Sequence, residues 1–245
     1  MRSEISQAPE VHDMRLWLEC PAAGQLAILE GIAAASGREL RAFRAETEPQ
    51  WFRSGGPRLV HRRSGVRLCL VPGGVFALGP DTGRRAVRLA PFLLAEEPLS
   101  VDDGRRLGVG EWRRTRFLPA GGSVLYLEPD EIARLTVELS PLRIPSDDEW
   151  EAAVRAGTKT SFFWGEDIPN APPCLPHPLG LAMPGWWDEL TAEGRVRGGA
   201  ARVWPWHDDA GVRRLRVDVW RAFENENEPR GVGLRLALPL GACSG

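Results

Sequence analysis

The side chains best suited to chemistry are thinly spread along this sequence. Its thiols are Cys20, Cys69, Cys174 and Cys243, and its imidazoles are His12, His61, His177 and His207. No two cysteines form a C-x-x-C pair, and no histidine clusters with them, so zinc is not expected. The densest group of chemically useful side chains is the run Arg202, Trp204, Trp206, His207 and Asp208. Two tryptophans separated by Pro205 offer flat apolar area at low entropic cost, and the polar members offer directed contacts. The same rings serve equally well as anchors of a loop. His207 with Asp208 or Asp209 is the nearest approach to a ligand set for an oxygen-activating metal. Adjacent residues seldom converge on one ion without a further ligand.

The chain that must position these groups has 245 residues and a formal net charge of −2. That length suits one sizeable core, or one domain with an N-terminal appendage. Thirty-one cationic residues are scattered, and Lys159 is the sole lysine. No basic block stands out, so nucleic acid is not an expected partner. No apolar run reaches about 18 residues, so a membrane partner is not expected either. The opening MRSEISQAPEVHDM lacks a signal-type apolar core, and a cytoplasmic location with reduced thiols is expected. Ten tryptophans beside one tyrosine, among 27 glycines and 21 prolines, indicate a loop-rich fold with rings packed between loops.

Residues 14–45 carry helical spacing at Leu26, Leu29, Ile32 and Ala33, with Gly37 as a stop or interruption. Residues 1–60 are taken as a partly helical N-terminal extension, and 61–245 as the main domain. VRLCLVPGGVFALG predicts two short strands around a tight turn at Pro72–Gly74. RAVRLAPFLLAEEPLSV predicts another extended stretch. Helices are expected over VDDGRRLGVGEWRR, which carries glycines, and over PDEIARLTVELS. The strongest helix signal is SDDEWEAAVRAGT, where Ser146 and Glu149 form a capping box. Trp150 on one face of it is expected to be buried. A long loop should follow from Phe162 to Gly194, and then short strands at RVRGGAARVW, RRLRVDVWRAF and GVGLRLALPL.

An ordered set of these segments resembles the formylglycine-generating enzyme family, also called sulfatase-modifying factors. Val71–Gly79 looks like its P-G-G-x-F-x-M-G, and Phe92–Val101 with Glu97 is similar to the strand and turn that follow. Ile144–Ala153 resembles L-P-T-E-A-E-W-E-x-A. Phe163-Trp164-Gly165 looks like Y-P-W-G, and Gly180–Glu189 resembles G-L-x-D-M-x-G-N-V-W-E with one residue missing. Arg197-Gly198-Gly199 matches R-G-G, and Gly233–Ala237 matches G-F-R-L-A. The likeness covers about residues 64–240. It implies an α+β, loop-rich fold related to C-type lectins, with Trp150, Trp164, Gly198, Gly199, Gly233 and Arg235 in structural roles. Arg235, between Leu234 and Leu236, reads independently as a partly buried ionic tie.

The enzymes of that family hold copper(I) with two cysteines shortly after R-G-G. Here the segment Ala200–Asp209 contains no cysteine. Copper-dependent formylglycine formation is therefore not expected. A family calcium site is also altered, because Trp186 stands where an asparagine is usual. Glu189 remains as a candidate calcium ligand, although a paired or solvated glutamate fits the sequence better. Relatives on the same scaffold include iron-dependent sulfoxide synthases, whose helical domain supplies histidines, whereas residues 1–60 here hold only His12. The resemblance thus implies a non-catalytic module recognising a protein or peptide, without a required cofactor. The alternative is an oxygen-dependent metalloenzyme whose metal site uses other ligands or is completed by a partner.

Overall fold

The structure is a computed structural model. It describes residues 8–37, 39–44, 56–79, 83–108, 129–160, 163, 177–182, 188–193, 196–198 and 232–240. Within these residues the protein is a mixed α+β structure built mainly on antiparallel sheets.

The chain opens with a 3-10 turn at Pro9–Val11, followed by helices α1 (Met14–Glu19) and α2 (Ala22–Ala35). The Asp13 carboxylate caps α1 by accepting from Arg15 N and Leu16 N. Pro21 separates the two helices, since it has no N–H to continue α1. Alanine-rich α2 runs to Ser36, and Gly37 then adopts a left-handed φ of 69°. Beyond Gly37 the expected helix gives way to strand β1 (Leu40–Arg44). Leu40 is buried, Arg41 exposed and Ala42 half-buried, a period of two that is too short to stand out beside the helical pattern.

β1 pairs with β2 (Pro57–His61), which pairs with β3 (Arg67–Val71), then β6 (Phe92–Ala95) and β10 (Ala237–Pro239). Every neighbour in this five-stranded sheet is antiparallel. β2 runs through the residue-60 boundary, and the sheet takes in β1 from its N-terminal side. All four residues of β6 are buried, as are the last four of β3, which explains their unbroken apolar runs.

The two strands expected around Pro72–Gly74 are present, but they do not form a hairpin with each other. β4 (Gly74–Leu78) pairs instead with β5 (Arg85–Leu89) in a separate two-stranded ribbon. A Cβ on Gly73 would lie 2.8 Å from Pro91 and 2.9 Å from the Leu89 carbonyl. Glycine there lets the chain cross closely over the β5–β6 connection as it leaves the sheet.

Helices α3 (Val101–Leu107), α4 (Pro129–Glu138) and α5 (Asp147–Arg155) follow. α3 and α5 each begin with a complete serine capping box, and α3 stops at Gly108 in the left-handed region. β7 (Asp188–Leu190) lies within the segment expected to be loop; three residues are too few to show a period. It pairs antiparallel with β8 (Val196–Gly198) and parallel with β9 (Val232–Leu234).

Candidate functional site

Successive residues of a helix point about 100° apart, and α5 gives three neighbours three different tasks. Glu149 closes the capping box by accepting from Ser146 N at 2.9 Å, and it holds Arg143 through two contacts of 2.7 and 2.6 Å. Burial would raise its carboxyl pKa, but the Arg143 guanidinium and the Ser146 hydrogen bonds hold it below the usual range. Trp150 is 0 % exposed, and its indole Nε1 donates to Glu189 Oε2 at 2.8 Å. Glu151 Oε1 accepts from Gly79 N at 2.7 Å and from Arg155 Nε at 2.8 Å. Arg155 in turn donates to the Gly79 and Thr160 carbonyls. Helix α5 is thus pinned to the end of β4 by one buried carboxylate and one buried guanidinium.

The partner of Trp150 belongs to a second buried pair. Arg235 Nε donates to Glu189 Oε2 at 2.8 Å, and its Nη2 donates to Oε1 at 2.6 Å. Its other N–H groups reach the carbonyls of Ala95, Glu96 and Ala182 at 2.8, 2.7 and 2.9 Å. Five donors therefore meet five acceptors, which is what a guanidinium 1 % exposed requires. Glu189 is used here as the anion of that pair. Its Oε1 accepts from Arg235, and its Oε2 accepts from both Arg235 and Trp150.

These contacts gather three distant stretches of sequence. Glu189 of β7 lies opposite Arg197 of β8 and opposite Gly233 of β9. Gly198 stands opposite Asp188 in the same sheet. Trp150, Glu189, Gly198, Gly233 and Arg235 are thereby brought together. Trp164, Gly199, Arg202, Trp204, Trp206, His207 and Asp208 lie outside the described residues.

The thiols and imidazoles that are described have structural surroundings. Cys69 is 1 % exposed, and burial pushes its thiol up to about 11. Burial also raises the Cys20 thiol, with a further contribution from Glu10. Neither is poised as a thiolate nucleophile. Among the described residues no group of three or more His, Cys, Asp or Glu side chains could hold a metal ion. His177 is 1 % exposed; its Nε2 lies 3.0 Å from the Val154 carbonyl and its Nδ1 accepts from Leu179 N. That tautomer is neutral, and burial lowers its pKa to about 4. His61 is lowered by burial as well, and its Nδ1 lies 2.8 Å from Ser64 Oγ in the β2–β3 turn.

The sequence reading missed a cleft of about 290 Å³ beside β4. Its walls come from Gly73–Leu78, from His12–Met14, and from the exit of α5 at Arg155 and Gly157–Lys159. Gly73 and Gly79 flank it in sequence, and they were the available signal. Among the described residues, no helix is long and apolar enough to cross a membrane. No protein-family model matches the chain, and no curated protein matches it either.

Proposed function

We propose that this protein is a non-catalytic recognition module on a formylglycine-generating-enzyme-like scaffold, with a protein or peptide as its partner. The observation that carries this reading is the register of β7 with β8 and β9, closed by the Arg235–Glu189 pair. It supports the scaffold because Glu189, Arg197-Gly198 and Gly233-Leu234, from three of the segments that carry the resemblance, meet in one small sheet. In this reading Arg202, Trp204, Trp206, His207 and Asp208 replace the copper thiols after Gly199 and form the contact surface. The absence of any cysteine from 200–209 removes the soft ligands that copper(I) chemistry needs. The scattered arginines and the net charge of −2 favour a protein partner over nucleic acid. The reading places the protein in the cytoplasm.

Two measurements test it. A C-x-P-x-R sulfatase peptide, incubated with the purified protein, copper and oxygen, should show no conversion of cysteine to formylglycine by mass spectrometry; turnover would refute the non-catalytic reading. The double change Trp204→Ala and Trp206→Ala should abolish partner capture and leave the thermal midpoint nearly unchanged. A steep fall in the midpoint would identify the rings as anchors of the fold and remove the contact surface.

A further inference from the structure

The cleft beside β4 has a shape that the proposed recognition loop does not explain. All six consecutive residues Gly73–Leu78 line it, and no residue of β5 does. A cleft over one face of the ribbon would be lined by alternate residues and would take in β5. This one therefore runs along the edge of β4 that faces away from β5.

The hydrogen bonds at the two ends of β4 show what that edge presents. Gly73 N donates to the Val11 carbonyl at 2.9 Å, and Gly79 N donates to Glu151 Oε1 at 2.7 Å. Both partners lie off the ribbon. Backbone direction alternates with period two, so Val75 N and Ala77 N point the same way, into the cleft. Neither amide donates to the backbone of a described residue outside the ribbon. Among the described residues the edge is thus satisfied at both ends and open in the middle. Val75 is 60 % exposed, an unusual position for a β-branched residue beside unpaired strand backbone.

Apart from ion pairs, the exposed charges around this edge are two cations and one carboxylate. Lys159 lines the cleft and is exposed, and Arg88 is exposed directly across the ribbon from Val75. Arg155 is neutralised by Glu151, and Arg85 by Asp148. The carboxylate in the lining, Asp13, already spends Oδ1 on the start of α1. The cleft volume is at the low end for ligand sites, so the occupant is short or partly exposed.

We propose that β4 is a docking edge for a short acidic peptide segment of another protein, which binds as an added strand with alternating acidic and apolar residues. The Val75 and Ala77 backbone groups supply the ladder. On the peptide face shared with Phe76 and Leu78, alternate side chains turn toward α5 and place a carboxylate near Lys159. On the other face, apolar side chains extend the surface begun by Val75. This site is independent of the 202–209 loop and does not rest on the proposed function of that loop.

The test uses the full chain and two end-blocked pentapeptides, one alternating glutamate with valine and one alternating lysine with valine. The glutamate peptide should bind and should slow hydrogen exchange at the Val75 and Ala77 amides, while the lysine peptide should not. Val75→Pro removes one ladder donor on an edge where proline is tolerated, and it should abolish binding. Lys159→Glu leaves the backbone intact and should weaken the glutamate peptide by about tenfold or more, as loss of a charge-assisted hydrogen bond does. No binding of the glutamate peptide at millimolar concentration would overturn the proposal. Equal binding of both peptides, or binding unchanged by either substitution, would do the same. Protection of the two amides that rises with protein concentration alone would assign the edge to a second copy of this chain and would also overturn it.

Discussion

The small β7–β9 sheet and the middle of the β4 edge treat polar groups in opposite ways. At the sheet, Glu189, Arg235 and the Trp150 indole are almost wholly buried, and each has its partners within 3 Å. Along the middle of β4, among the described residues, backbone donors and the exposed Val75 stay open in a cleft that Lys159 also lines. Burial explains the first case, because a charge removed from water costs several kcal/mol unless it is paired and hydrogen-bonded. It does not explain the second, since an edge strand can be covered, shortened or charged at little cost. Complete pairing therefore marks residues that hold the scaffold, and the open edge is the place we assign to a docking peptide.

The largest expected effects fall on the fully paired side. Arg235→Ala leaves Glu189 buried without its cation and should destabilise the domain by about 3–5 kcal/mol in denaturant unfolding. Trp150→Ala opens a cavity and removes the Nε1 donor, with a similar expected loss of about 3–5 kcal/mol. A loss under about 1 kcal/mol for both would show that this side tolerates unpaired groups, and the contrast with β4 would disappear.

His177 sharpens the comparison through pH. Burial lowers its folded pKa from 6.5 to about 4, so the unfolded chain binds its proton more readily than the folded one. The stability gained by keeping the imidazole neutral is present above pH 6.5 and is lost as pH falls toward 4. At 1.36 kcal/mol per pKa unit the change is about 3 kcal/mol. Glu149 adds loss in the same direction at lower pH, because its folded pKa is also depressed. In His177→Gln the slope of stability against pH between 6.5 and 4 should flatten. An unchanged slope would mean that His177 titrates as if exposed.

Much of the paired side was legible in the sequence, and the open edge was not. Ser146 followed by Glu149 announces α5 because a capping box is a local contact between residues three apart. Trp150 reads as buried because it is a large ring on a helix face, and Arg235 as a partly buried tie because it lies between two leucines; the structure buries both almost completely. Their shared partner Glu189 was nevertheless read as paired, solvated or calcium-binding, since the pairing joins residues 46 positions apart. The β3–β4 hairpin was misread for a related reason. Two apolar strands around Pro72-Gly73-Gly74 match a hairpin locally, and what separates them is the crossing of Pro91 over Gly73, a contact between distant residues. An unpaired strand edge leaves no mark in composition or period, so the cleft had no signal beyond its flanking glycines.

The smallest expected effect concerns Lys159, and it divides the two regions most cleanly. If the cleft belonged to the scaffold as Arg235 does, truncating the cation in its wall would cost stability. Lys159 is exposed, and no side-chain hydrogen bond or ion pair links it to any described residue. Lys159→Ala should therefore shift unfolding stability by less than about 0.5 kcal/mol, the range for surface changes away from structural contacts. Its backbone carbonyl, which accepts from Arg84, is unaffected by the substitution. The same variant should lose affinity for an acidic peptide, so stability and binding separate in one protein. A loss of stability comparable to that of Arg235→Ala would make Lys159 part of the frame, and the β4 side would then be as fully committed to the fold as the other.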